Sequence, residues 1–400
     1  MTHPAVRDLF QTLSRHPAFQ DAIAKLLRRE EAPLALAGLT PTAKALYLVL
    51  LWQLSGRPLV VITDGNQSAE NLAELAETFF DLLIGDTGAG RPQLLPALDV
   101  LPGQHLSPHD EITEQRAIGL WRMAAAKAPI TIAPAASALS RTHAGDHYQR
   151  LALELHVKEE MPLETIEAHL VSIGYEKREP VEMTGEYSIR GGILDVFPAE
   201  NSRPLRIEFF GDEIESIRRF EVESQRSVQK LSEAFVLPLS ELPRSGTLHP
   251  GWEFAAALEQ PRECSLIDLV PSALVVFDEP ELIRGAAERL WKRLDQYRSE
   301  APESAGLAEA NFFDWAELER RAQGRQQVAL RELDLNAATP HITARPAMAF
   351  HGSMQVAVAE TKTMVEQGYR VALFAPSNGE LERLADILRE YSVPFQLGLA

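Results

Sequence analysis

The chain has 400 residues, 45% of them apolar and 24% charged, the make-up of a globular protein with length for roughly two to four domains. Asp and Glu number 57 against 39 Lys and Arg, and the net charge of −18 argues against an autonomous nucleic-acid binder, because such binding neutralises phosphates. A single cysteine, Cys264, excludes an internal disulfide and a cysteine-built zinc site and fits a reducing, cytoplasmic setting.

The first stretch alternates strand and helix. LALAG at 34–38 is a short apolar run leading into a loop, and TAKALYLVLLWQLSG then has helical spacing and ends at Gly56. Within it ALYLVLLWQL is about half a membrane span, and the N-terminus lacks the pattern of a signal peptide. RPLVVITDG is the continuous apolar run of a doubly covered parallel strand, and the next helix opens on Ser68 as N-cap. ALDVLPG, a helix from SPHDEITEQRAIGLWRMAAAK and the strand PITIAP continue the alternation, so an α/β layer domain is predicted. Asp110, Glu111 and Glu114 complement the dipole of that helix, and Trp121 and Met123 are core candidates.

After residue 150 the texture changes. One helix, MPLETIEAHLVSIGY, precedes VEMTGEYSIRGGILDVFP, LRIEFFGDEIESIRRFEV and AFVLPL, consecutive β-rich runs with a Gly211-Asp212 turn that predict an antiparallel α+β insertion. Beyond 240 the α/β pattern returns with SALVVFDEPELI and a long helix. Residues 300–310 and 336–346 read as linkers, and from 347 onward the pattern is strand, helix, strand, helix, strand.

Two motifs carry chemistry. Gly38 and Lys44 stand at P-loop spacing in GLTPTAKA, yet Ala43 replaces the second glycine and Ala45 the hydroxyl that would hold Mg²⁺. Pro41 removes a further backbone donor. LVVFDEPE delivers Asp278 and Glu279 at the end of a strand, either as a remnant of an NTPase acidic pair or as helix caps. The histidines have no metal-ligand spacing, so no metal site is expected.

GEYSIRGGILDVFPAENSRPLRIEFFGDEIESIRRFEVESQRS resembles the second domain of the transcription-repair coupling factors (Mfd) and, more loosely, that of UvrB. The flanks LALAGLTPTAKAL, DVLPGQHLSPHDEITEQRA and LVVFDEPEL resemble the same N-terminal region in collinear order. The resemblance implies a two-part UvrB-like α/β body with a degenerate nucleotide site: domain 1a at 1–150, a UvrA-binding domain 2 at 151–239, domain 1b at 240–345 and the start of domain 3 at 346–400. It also implies that the chain corresponds to the N-terminal part of the family and recruits UvrA. No catalytic activity or cofactor is expected here. In the full-length family, ATP and magnesium serve a DNA translocase, and RNA polymerase and double-stranded DNA are met through C-terminal domains.

Alternation in LRIEFF puts Leu205, Ile207 and Phe209 on one face and Arg206, Glu208 and Phe210 on the other. The second face mixes both charge signs with Phe210, a composition suited to a partner surface with an aromatic anchor, and Lys177 or Arg178, just after the helix, could add a positive charge. By resemblance, Arg190, Arg206 and Glu208 lie on the UvrA-binding surface, with Lys177 matching only as lysine for arginine. Gly191-Gly192 would bend the strand to present Arg190, and Arg190→Glu or Arg206→Glu is expected to leave the fold intact. The rival classes are a UvrB-like ATP-dependent damage-recognition helicase, opposed by Ala43 and Ala45, and a DNA-binding module, opposed by the net charge.

Overall fold

The computed structural model describes residues 4–30, 33–85, 88, 90–243, 249–301, 304–334, 336, 339–347, 353–375 and 377–397. In chain order the first stretch contains α1 (Pro4–Leu13), α2 (Pro17–Leu27), β1 (Leu34–Leu36), α3 (Pro41–Ser55), β2 (Leu59–Thr63), α4 (Asn66–Leu83), β3 (Gln93–Leu94), α5 (Asp110–Ala124), β4 (Ile130–Pro134), α6 (Ala135–Ala138) and α7 (Gly145–Gln149). The middle stretch contains β5 (Leu153–His156), α8 (Leu163–Ser172), β6 (Glu176–Lys177), β7 (Glu186–Arg190), β8 (Ile193–Val196), β9 (Leu205–Phe210), β10 (Glu213–Phe220), β11 (Ser227–Leu231) and β12 (Glu233–Val236). There follow α9 (Trp252–Glu259), α10 (Leu266–Leu269), β13 (Leu274–Asp278), α11 (Pro280–Glu300), α12 (Leu307–Asn311), α13 (Trp315–Gln323), β14 (Gln327–Leu330), α14 (Met354–Glu366) and α15 (Asn378–Glu390).

Strands from both ends of the chain share one parallel sheet in the order β1-β14-β13-β2-β4-β3. β2 and β4 are buried along their whole length, as their unbroken apolar runs require of a sheet covered on both faces. α3 is buried from Lys44 through Leu51, which is why its sequence is apolar all round. It ends at Gly56, whose φ of 62° suits a left-handed cap. α4 starts earlier than expected, with Gly65 rather than Ser68 at the N-cap.

ALDVLPG forms no strand. Ala97, Val100 and Leu101 are buried in a loop, and the edge partner of β4 is β3 just before it. Pro96 and Pro102 withhold ladder donors on either side of the run.

The second sheet, β11-β10-β9-β8-β7-β6, is antiparallel except for the β6–β7 pair. GEYSIRGGILDVFP is not one bent strand. Gly191 and Gly192 are the turn of the β7–β8 hairpin, between Arg190 and its cross-strand partner Ile193. Gly191 has φ 61°, and a Cβ on Gly192 would press on the Phe209 carbonyl oxygen, so both positions call for glycine. Gly211-Asp212 turns β9 into β10 as expected, while AFVLPL supplies β12, which pairs with β5 in a separate two-stranded sheet. α8 covers one face of the larger sheet, where Ile166 and Leu170 join Leu194, Val196, Leu205 and Ile207 in the core.

Neither expected linker is a simple one. Residues 307–311 form α12, with Ala308 and Asn311 buried. Ile342 is buried, and its N–H donates to the Ala37 carbonyl at 2.8 Å. In the last stretch α14 and α15 form around Val358, Leu388 and Val393. The strand expected at 347–353 lies mostly outside the described residues. Those expected near 371–375 and 393–397 are not formed, because no described neighbour supplies a ladder for their backbone groups. Among the described residues no helix is long and apolar enough to cross a membrane.

Candidate docking face and degenerate nucleotide site

The outer face of the antiparallel sheet is organised around a buried carboxylate. Asp195, 2% exposed, stands directly opposite Arg206 on β9 and Ser188 on β7. Arg206 donates to it in fork geometry, Nε to Oδ1 at 2.7 Å and Nη2 to Oδ2 at 2.8 Å. Arg190 Nη2 reaches the same Oδ2 at 2.8 Å. The Arg206 guanidinium also stacks 4.5 Å from the Phe220 ring centre and donates to Gln225, and its bond to Asp195 raises its already high pKa. Next along β9, Glu208 accepts from Arg218 Nη2 at 3.0 Å and Ser216 Oγ at 2.7 Å. Phe210, at the end of the row, is 82% exposed.

This arrangement gathers four of the five expected docking residues, Arg190, Arg206, Glu208 and Phe210, on one side of the sheet. Lys177 lies on the other side. It pairs with Tyr187, whose side chain is in the core, and its Nζ meets Glu167 of α8 at 2.8 Å. The period-two alternation of strands decides this, because Lys177 shares the face of Tyr187 and not that of Ser188. Lys177 holds the Glu167 carboxyl below the usual range. Sequence reasoning left Asp195 and Arg218 out of the site. Their signal was an acid interrupting an apolar strand, and a base two residues after Ser216 on the same face.

For Arg206→Glu the structure gives reason to expect a cost to the fold. It would set a second carboxylate against buried Asp195, with a like-charge and desolvation cost.

The residues expected to form a degenerate nucleotide site come together from both ends of the chain. Lys44 is 4% exposed, and its Nζ lies 2.6 Å from Asp278 Oδ1 and 2.7 Å from Glu279 Oε1. Burial disfavours the Lys44 charge, but the two carboxylates more than offset it and raise its pKa. Burial pushes the Asp278 carboxyl up against the pull of Lys44. Glu279 occupies the N-cap position of α11 without a side-chain cap bond, and its Oε1 accepts from the Glu332 N–H at 2.5 Å. Its carboxylate thus serves the lysine and not the helix end.

Backbone donors of the loop are engaged within the protein. Ala37 N–H donates to Pro340, Leu39 N–H to Arg331, and Ala43 N–H to Thr40 Oγ1. Gly38 has φ 81°, and His341 and Ile342 occupy the space its Cβ would need. Ala45 is fully buried in the apolar cluster of α3. A phosphate cradle requires free N–H groups converging at the helix start, and here those at 37, 39 and 43 already have acceptors.

Among the histidines, folding brings His156 between Glu154 at 3.0 Å and Glu233 at 3.6 Å on the exposed two-stranded sheet. The two carboxylates face opposite ring nitrogens, so folding assembles three groups that could hold a metal ion where the spacing of the histidines in sequence gave no sign of one.

A family model described as the UvrB interaction domain matches residues 153–242, the stretch that builds the antiparallel sheet. The transcription-repair-coupling factor of Haemophilus influenzae is 30% identical over 208 residues, 52% of this chain and 18% of that protein. Those of Bacillus subtilis and Staphylococcus aureus are 22% and 24% identical over 90% and 91% of this chain, which covers 34% and 35% of their lengths. The chain thus spans about a third of these two relatives. The charged sheet face lies inside the stretch that matches the UvrB interaction domain, and along 90% of its length the chain is similar to the transcription-repair-coupling factor of Bacillus subtilis.

Proposed function

We propose that this chain is the recruiting part of a cytoplasmic transcription-repair coupling factor: it binds UvrA through the outer face of β7, β8 and β9 and has no motor of its own. The observation that carries the reading is the row Arg190, Arg206, Glu208, Phe210 within a UvrB interaction domain. Oriented charges beside an exposed aromatic suit a specific protein partner, where the aromatic is the anchor and the arginines select. The coupling of stalled RNA polymerase to excision repair, with contacts to polymerase and double-stranded DNA and the use of ATP and magnesium, would belong to parts of the relatives that this chain does not span. A UvrB-like ATP-dependent helicase is the less supported alternative, since Lys44 is committed to Asp278 and Glu279.

The test is Phe210→Ala, titrated with UvrA by calorimetry. The side chain is exposed, so circular dichroism and melting temperature stay at parent values. Loss of an interface anchor weakens binding by about 2 kcal/mol or more. Parent-like affinity would move the docking site elsewhere.

A further inference from the structure

We propose that Asp195 is a positioning residue of this face: it braces Arg206 and aims Arg190 at an acidic group on the partner without touching the partner itself. The inference rests on the docking reading above. Asp195 is buried under the two arginines it binds, so it is covered by them on the side from which a partner would approach. Its two oxygens together accept three charge-assisted bonds from side chains on the strands at either side. Without it, two guanidinium groups would stand next to each other with like charge, and Arg190 would lose its shortest tether.

With it, they share one negative charge and keep a net positive charge held in a set orientation. Arg206 is fastened on several sides, by Asp195, Gln225 and the ring of Phe220. Arg190 is held by Asp195 and lies 3.8 Å from Glu179, and its side chain is still 47% exposed. Arg206 is therefore a braced element of the face, whereas Arg190 is the one presented outward. A carboxylate on the partner is the chemistry that complements a pre-oriented guanidinium. Orienting the side chains before binding removes an ordering cost that the complex would otherwise carry.

The experiment is a double-mutant cycle on the whole chain, read as UvrA affinity by calorimetry with circular dichroism as the folding control. Asp195→Asn is expected to weaken binding about tenfold or more. In a background of Arg190→Gln and Arg206→Gln the same change should alter affinity by less than about twofold, because the groups it positions are gone. A purely structural carboxylate would not produce that dependence on background. Parent-like binding by folded Asp195→Asn, with Phe210→Ala still weakened, overturns the positioning role and leaves the docking face standing. Parent-like binding by both variants overturns the docking reading and this inference together. Should Asp195→Asn alone fail to fold, the triple variant is compared with the double: equal affinity supports the role, and a further loss of about tenfold overturns it.

Discussion

Lys44→Met is expected to lower the unfolding free energy of the α/β body by about 3–5 kcal/mol, read from urea denaturation followed by circular dichroism. Methionine keeps most of the volume, so the loss is electrostatic. It leaves Asp278 and Glu279 in a largely buried site without their cation. Replacing the two acids by neutral residues in the same variant should recover much of the loss, because no uncompensated charge then remains.

The sign with pH follows from the raised Lys44 pKa. The stabilisation is fully present below the unfolded value of 10.5 and is lost as pH climbs through the higher folded value. While Asp278 and Glu279 are ionised, the gap between parent and Lys44→Met should therefore stay level up to that pH and narrow above it. MgATP should leave the parent melting temperature unchanged, whereas a ligand at a hundred times its dissociation constant would add about 2.7 kcal/mol. A clear upward shift, or a loss from Lys44→Met below about 1 kcal/mol, would show that the lysine is still available to a nucleotide.

Arg116→Ala should be comparably damaging, about 3–5 kcal/mol by the same measurement. Arg116 is 2% exposed on α5, and its Nε meets Glu241 Oε1 at 3.0 Å. Nη1 donates to the Pro96 carbonyl at 2.8 Å and to Ser137 Oγ at 3.0 Å. Burial works to raise the Glu241 carboxyl, but Arg116 and then Arg262 hold it below the usual range. His147 Nε2 lies 3.0 Å from the Glu241 backbone carbonyl oxygen, so the segment leaving the antiparallel sheet is clamped to the parallel-sheet body. Removing the guanidinium strands a largely buried carboxylate and two acceptors at once. A loss below about 1 kcal/mol would mean that Arg262 replaces it as the counter-charge.

Much of the local structure was legible because it depends on neighbours in sequence. Unbroken apolar runs marked β2, β4 and β13, Gly56 marked the end of α3, and Gly211-Asp212 marked a hairpin. Alternation in LRIEFF separated Leu205 and Ile207 from Arg206 and Glu208, since a strand's period of two is a property of its own backbone. The spacing of Gly38 and Lys44, with alanines at 43 and 45, is likewise a property of the sequence alone.

Tertiary structure decided the rest, and in each case the reason is a contact far away in the chain. ALDVLPG has the apolarity of a strand but no ladder to join, and the apolar run at 371–375 has no described neighbour to pair with. Lys177 could be assigned a face only once β6 was paired with β7, because two residues carry too short a pattern to set their own register. Lys44 gains its counter-charges from residues 278 and 279, brought beside it by a sheet in which β13 and β14 return among the N-terminal strands. Asp195 is an oddity in an apolar strand until β7 and β9 close on it. By itself the sequence determined the buried strands β2, β4 and β13, the end of α3 and which face of β9 is charged. The fold decided which charges are buried together, because burial and ion pairing are properties of residues that meet only after the sheets have assembled.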